Sequence, residues 1–176
     1  MKRLLMILFC SFGVLLSATA ARAQSVQTDY DRSYNLTKLR TYSFIEQNRP
    51  PGDPLAASPL NERRIHTALE SQLQAQGFRP SEQPDFYIAY NVATYKGLRI
   101  EDNRISGPPW DRWGNINVNQ VTEGTLMVMF LDPSTRQEIW VGLVSGEINP
   151  KDLDRNVNKG ITKMVQRFVK DQGGKK

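Results

Sequence analysis

Alternating apolar and polar positions predict strands in five segments of the chain. In the first of them, Val26, Thr28 and Tyr30 alternate with polar residues, which is typical of a half-buried strand. The turn-forming run 132–136 predicts that the last two strands form an antiparallel hairpin. The five segments are 26–31, 41–45, 85–95, 116–131 and 137–148.

Apolar residues at helical spacing predict two helices. The first begins with Ser58 as N-cap and Pro59 as its first residue, and it stops at Gly77. Its apolar face consists of Ile65, Leu69 and Leu73. The second covers about 152–170, and Gly160 on the edge of its apolar stripe predicts a close approach to the sheet. That stripe consists of Leu153, Val157, Ile161, Met164, Val165 and Phe168.

This order of elements predicts an α+β fold. We expect a two-layer sandwich, in which a mixed, mostly antiparallel sheet of about five strands carries both amphipathic helices on one face. Residues 24–171 are expected to form a single domain, because their number suits one ordinary hydrophobic core. Residues 172–176 are expected to be a flexible C-terminal tail.

The first 23 residues predict a secretory signal peptide. Lys2 and Arg3 precede an apolar run at 4–16, and a stretch of small residues ends at Ala23, as in the three parts of such a peptide. The apolar run is too short for a permanent transmembrane helix. We therefore expect cleavage after Ala23 and a periplasmic protein without a transmembrane helix, and an uncleaved N-terminal anchor is the alternative.

The cysteine count and the net charge argue against two classes of protein, lipoproteins and nucleic-acid-binding proteins. Cys10, the only cysteine, follows Phe9 inside the apolar run, where a lipoprotein signal needs a small residue, so a lipoprotein is not expected. Removing residues 1–23 takes away three of the 23 Lys and Arg residues and none of the 18 Asp and Glu residues, so the net charge falls from +5 to +2. Nucleic acid is therefore not an expected partner.

Several blocks of sequence resemble a known bacterial family. They are VQTDYDRSYNLTKLRTYSF, LQAQGF, PDFYIAY, EGTLMVMFLDPSTRQEIWVG and ITKMVQRFV. Together they resemble domain of unknown function 4136 over nearly the whole mature chain. The resemblance implies an envelope protein of α+β fold, and it supplies no activity, cofactor or catalytic residue. Many members look like lipoproteins, a feature that this chain lacks.

The sequence contains no recognisable catalytic motif. His66, the single histidine, is expected at a surface or boundary position, because a base needs a nucleophile and an orienting partner. One His and a mature chain without Cys do not supply a usual zinc site, and we expect neither a metal nor a cofactor. Asp29 with Asp31, or Glu101 with Asp102, could bind a cation or act in hydrolysis, but solvated acidic residues are the favoured interpretation.

The predicted hairpin is apolar on both faces. One face is assigned to the helix side, and it consists of Leu126, Val128 and Phe130 with Ile139, Val141 and Leu143. The opposite face, called here the second face, is assigned Tyr87, Met127, Met129, Leu131, Trp140 and Val144. A solvated face would alternate with polar residues, so the second face is predicted to be covered. Its cover is a loop of the chain itself, a second copy, or an external ligand.

The stretch ISGPPWDRWGN is a candidate ligand site or lid. Trp110 and Trp113, with Tyr95 nearby, would offer aromatic platforms, and Asp111 and Arg112 would offer polar contacts to a glycan or an envelope polymer. The alternative is that the indoles only bury apolar area. Among the three possible covers of the second face, a loop of the chain itself is favoured, because a neighbouring loop closes over it at the least entropic cost.

These observations favour a periplasmic, non-enzymatic binding or envelope-maintenance module. An unknown envelope protein or a glycan is the expected partner, and a homodimer is also open. A carboxylate-dependent hydrolase and a structural homo-oligomer subunit are the alternative functions.

Overall fold

The computed structural model describes residues 25–102 and 116–174. These residues form one sheet of six strands with two α-helices, which confirms the α+β class. The predicted signal peptide lies outside the described residues. The elements in chain order are β1 (Ser25–Tyr30), a 3-10 turn (Leu36–Lys38), β2 (Thr41–Phe44), α1 (Pro59–Ala75), β3 (Arg79–Pro80), β4 (Phe86–Asp102), β5 (Ile116–Leu131), β6 (Glu138–Glu147) and α2 (Leu153–Gln172).

The strand order across the sheet is β1-β6-β5-β4-β2-β3. Strands β1, β6, β5 and β4 pair with one another in antiparallel orientation, whereas β2 pairs in parallel with β4 and with β3. The sheet is therefore mixed and mostly antiparallel, with six strands instead of about five. Strand β3 escaped prediction because it has only two residues, one of them Pro80, and so shows no alternation.

The two N-terminal strands lie on opposite sides of the β4-β5-β6 meander. Their connection passes the β5–β6 turn, where the Tyr34 hydroxyl donates to the Asp132 carboxylate at 2.8 Å. At the end of α2, the Gln172 side chain donates to the carbonyls of Leu36 and Leu39, at 2.8 and 3.3 Å. These long-range contacts stabilise the connection between β1 and β2, which no local sequence pattern predicts.

Helix α1 begins and ends where the sequence predicts. Ser58 is the N-cap and Pro59 the first residue. Gly77 follows the last turn with φ +89°, and the Phe78 N–H donates to the Leu73 carbonyl at 3.0 Å. A left-handed glycine with such a bond is a common helix stop. Helix α2 continues two residues beyond its predicted end.

Both helices pack on one face of the sheet and bury an aromatic core. Phe130 stacks on Trp140 with ring centroids 4.8 Å apart, and Phe168 of α2 meets Phe130 edge to face at 4.7 Å. The core aromatic residues, each at most 4% exposed, are Tyr42, Phe78, Phe86, Phe130, Trp140 and Phe168. Helix α2 therefore packs against the centre of the sheet.

Two glycines allow α2 to lie close to β6. A Cβ atom on Gly160 would lie 2.7 Å from Cγ1 of Val144. A Cβ atom on Gly142 would lie 2.5 Å from the Trp140 ring and 2.7 Å from Cγ of Met164. The prediction that Gly160 permits a close helix–sheet approach is therefore confirmed.

Candidate functional site

An apolar cleft opens between the N-terminal parts of the two helices and the sheet. Its volume is about 140 Å³. Val92, Leu126 and Val144 form its floor on β4, β5 and β6, and Ile65 of α1 and Val157 of α2 form two of its walls. Among the described residues that line the cleft, none is aromatic. The cleft is therefore an aliphatic space that is open to solvent.

An ion pair joins the two helices beside the cleft. The Arg64 guanidinium contacts the Asp154 carboxylate and also donates to Oδ1 of Asn61 at 2.8 Å. The Arg64 side chain is 31% exposed and that of Asp154 is 65% exposed, so water screens their attraction. Arg64 and Asn61 line the cleft, and they give the aliphatic interior a polar rim.

A buried arginine holds the loop that closes one side of the cleft. The Arg49 side chain, 6% exposed, donates to Glu62 at 2.7 Å and to Asp53 at 3.3 Å. It also donates to the Tyr90 carbonyl at 3.2 Å, which fastens the loop to β4. A buried guanidinium needs such paired acceptors, because an unpaired charge away from water is costly. The same loop places Leu55, 2% exposed, in the cleft wall.

Sequence reasoning missed this cleft. Leu126 was expected beneath the helices, and Ile65 and Val157 were expected on their apolar faces, but no prediction placed these residues around an open space. The cleft forms where the loop that contains Leu55 packs against two helices and three strands. Periodic patterns within single segments do not predict how such elements pack together. We see no local signal that would have identified it.

The structure places four predicted second-face residues opposite the helices. These are Tyr87, its pair partner Leu131, Met127 and Met129, and all four are half-buried. The β5–β6 register pairs Met127 with Leu143 and Met129 with Val141. Because directly paired residues lie on the same face of a sheet, Val141 and Leu143 belong to the second face as well.

Trp140 lies on the helix face, so its assignment to the second face is wrong. It is 1% exposed, pairs with Phe130 and contacts the Phe168 ring at 5.3 Å between centroids. Its indole N–H donates to the Asp171 carboxylate of α2 at 2.9 Å. Trp140 is therefore part of the core that holds α2 on the sheet.

A β-bulge explains the error in β6. The register shifts between Phe130 and Leu131, so that Leu131 pairs with Glu138 but Phe130 with Trp140. A one-residue shift turns every following side chain to the other face. For the same reason Val144, also assigned to the second face, lies on the helix face, where it meets α2.

The apolar part of the second face, called here the second-face strip, is narrow and has polar neighbours. It consists of Tyr87, Met127, Met129, Leu131, Val141 and Leu143. Asp29 on β1 is exposed, and the Thr125 and Ser145 hydroxyls share a hydrogen bond of 2.9 Å. The Arg136 guanidinium lies over the Tyr87 ring, 4.1 Å from its centroid. With the usual strand spacing and rise, the apolar strip between these groups covers roughly 250 Å². Monomeric proteins expose patches of this size without a cover.

Beyond the helices, β4 and β5 continue as a two-stranded ribbon. The last β5–β6 pair is Glu123 with Glu147, whereas β4 and β5 stay paired as far as Asp102 and Ile116. Tyr95 is 57% exposed, and its hydroxyl donates to the Glu123 carboxylate, which raises the pKa of the phenol. The ribbon thus presents Tyr95 to solvent.

The remaining loop candidates, Trp110, Asp111, Arg112 and Trp113, lie outside the described residues. The lid over the second face therefore stays a prediction.

The predicted carboxylate pairs lie at different strands, and Asp29 and Asp31 are not among the described residues that line the cleft. Asp29 is exposed on β1, and Asp31 lies just after that strand. The hydroxyl and the backbone N–H of Ser33 donate to Asp31 at 2.6 and 2.8 Å and lower the pKa of its carboxyl group. Glu101 and Asp102 end strand β4 at the tip of the ribbon.

His66 stacks on Phe44 with ring centroids 3.9 Å apart and is half-buried. Within residues 25–102 and 116–174, no three His, Cys, Asp or Glu side chains are grouped so that they could hold a metal ion. In the same residues, no helix is both long and apolar enough to cross a membrane.

These features define a class of protein: a two-layer α+β domain with an open aliphatic cleft on its helix side. The chain belongs to the family catalogued as Domain of unknown function (DUF4136), whose sequence profile matches residues 26–168. None of the curated proteins matches it in sequence.

Two solved structures are similar in fold. One is a PDZ domain protein from Parabacteroides distasonis, with 11% identity and a TM-score of 0.55 over 81% of this chain and 35% of that chain. This chain thus spans about a third of the length of that protein, and the similarity supports the fold alone. The other is the PelC dodecamer from Paraburkholderia phytofirmans, with 10% identity and a TM-score of 0.49 over 83% of this chain and 97% of that chain.

Proposed function

We propose that this protein is an exported, non-enzymatic binding module whose ligand places an apolar group in the cleft. The observation that carries the proposal is an open space of about 140 Å³ with a mainly aliphatic lining. An engineered protein cavity of roughly 150 Å³ with an apolar lining binds benzene. An apolar interior with a few polar groups at its rim is the usual form of a small-ligand site.

Export is supported by the sequence pattern of residues 1–23, in which Lys2 and Arg3 precede an apolar run and small residues end at Ala23. Cleavage after Ala23 would leave every described strand and helix intact. The mature protein purified from the periplasmic fraction is expected to have the mass of residues 24–176, and a mass that retains the first 23 residues would contradict this part of the proposal.

A substitution that fills the cleft tests the binding site. Val157→Phe adds a ring to the wall formed by α2, and we expect it to weaken binding of the fluorescent probe N-phenyl-1-naphthylamine, whose six-carbon phenyl ring matches the volume of the cleft, at least about tenfold. Fluorescence titration measures the affinity. Circular dichroism and the Tm establish that the variant is folded, because overpacking costs about 1–3 kcal/mol.

The matched control is Val141→Phe, the same change at a half-buried position of the second face. It is expected to bind the probe as the wild type does. If Val157→Phe is folded and also binds like the wild type, the cleft is not the binding site. If Val157→Phe does not fold, Leu126→Phe in the cleft floor makes the same test.

A further inference from the structure

We infer that the apolar group is the end of an unbranched acyl chain, an inference that rests on the proposed function. The first observation behind this inference is the set of residue types that line the cleft. Aliphatic side chains from three strands and two helices make up most of the lining, polar residues such as Asn61, Arg64 and Thr94 complete it, and none of the described lining residues offers an aromatic ring. Flat aromatic ligands gain from stacking on aromatic side chains, which this surface does not supply. A methylene chain needs only close aliphatic contact.

The volume sets the length of chain that the cleft can hold. Since roughly 150 Å³ accommodates benzene, a cleft of about 140 Å³ accommodates about six carbon atoms. A longer chain must leave through the open side. The structure therefore distinguishes a buried end of about six carbons from an outer part that lies on the protein surface.

One exposed apolar residue of the ribbon lies on the same face of the sheet as the cleft. Leu98 is 71% exposed and lies four residues beyond Thr94 of the cleft lining, so strand alternation puts both on the helix face. Tyr95, 57% exposed, lies on the opposite face by the same alternation. Leu98 therefore provides an apolar surface for the outer part of a chain.

A series of straight-chain alkanoates tests the inference. We expect the affinity, measured by isothermal titration calorimetry on the mature protein, to rise about fourfold per methylene up to roughly six buried carbons. The rise for each further methylene, up to dodecanoate, is expected to be smaller. Hexanoate is expected to bind more tightly than benzoate, and the reverse order would overturn the inference.

Competition with the probe separates this inference from the proposed function. If Val157→Phe abolishes probe binding but no alkanoate displaces the probe from the wild type, the acyl-chain inference fails and the binding site stands. If probe binding does not depend on Val157, both fail. Val141→Phe is expected to keep the full chain-length dependence.

The same chemistry can come from a free fatty acid or from a lipid. Sedimentation with vesicles of phosphatidylethanolamine and phosphatidylglycerol distinguishes the two sources. Co-sedimentation that is lost in Val157→Phe and kept in Val141→Phe supports an acyl chain taken from a lipid. Alkanoate binding without co-sedimentation supports a free acid. Binding of neither overturns the inference.

Discussion

Asp132 shows how one side chain connects distant parts of this fold. It accepts hydrogen bonds from the backbone N–H groups of Ser134 and Thr135 in its own turn, at 2.9 and 2.8 Å. It also accepts one from the hydroxyl of Tyr34, 98 residues away. The Thr135 N–H, followed by the Tyr34 hydroxyl, holds the pKa of Asp132 below its usual 3.8. Burial and the bond to Asp132 raise the pKa of Tyr34 to about 12.

We predict that the contribution of Asp132 to stability depends on pH. Because its pKa is lower in the folded than in the unfolded state, its contribution is fully present above the unfolded pKa of about 4 and is lost as the pH falls through the folded pKa. Asp132→Asn should lower the free energy of unfolding by about 1 kcal/mol at pH 7. The difference from wild type should shrink at about pH 2.5.

Urea unfolding at the two pH values measures this difference. Asp29→Asn, at an exposed strand position, serves as the control and should change stability little at either pH. An Asp132→Asn effect of the same size at both pH values would contradict the assigned role of the carboxylate.

At the level of elements, the packing of helix α2 against strand β6 was predicted only in part from the sequence. The apolar stripe and Gly160 predicted a helix close to the sheet, because both are local features of one segment. The face of β6 that receives the helix was predicted wrongly, because the bulge at Phe130 and Leu131 depends on pairing between two strands. The cleft was missed for the same reason, since its walls come from five separate elements and a loop.

We predict that Gly160→Ala destabilises the protein in spite of the better helix propensity of alanine. Alanine gains about 1 kcal/mol in an exposed helix. Here its Cβ would lie 2.7 Å from Cγ1 of Val144, and overpacking of this kind costs about 1–3 kcal/mol. The destabilisation should disappear when Val144→Ala removes that atom.

A double-mutant cycle of these substitutions, measured by urea unfolding, checks the prediction. Val144→Ala alone is expected to be destabilising, because it removes buried apolar volume. Equal effects of Gly160→Ala in both backgrounds would show that the two residues do not interact.

For the whole molecule, the size of the second-face strip decides whether it can hold two copies together. A stable interface buries about 800 Å² on each partner, whereas the strip covers roughly 250 Å². We therefore predict that the mature protein is a monomer at micromolar concentration. Light scattering coupled to size-exclusion chromatography should give the mass of one chain across a concentration series.

A dimer that Met129→Lys abolishes would contradict this prediction and show that the strip is an interface. Leu98→Lys is the comparison variant, because it places the same charge on the ribbon. A dimer that only Leu98→Lys abolishes would assign association to the ribbon.

The sequence by itself determined five of the six strands, both helices, the α+β class and the membership of its family. These properties depend on periodicity, capping residues and short motifs, all of which lie within single segments. Only the tertiary structure decided the separation of β1 from β2, the face on which Trp140 lies, and the existence of the cleft. Each of these depends on contacts between residues far apart in the chain, where a shift of one residue in register turns a side chain from one face of the sheet to the other.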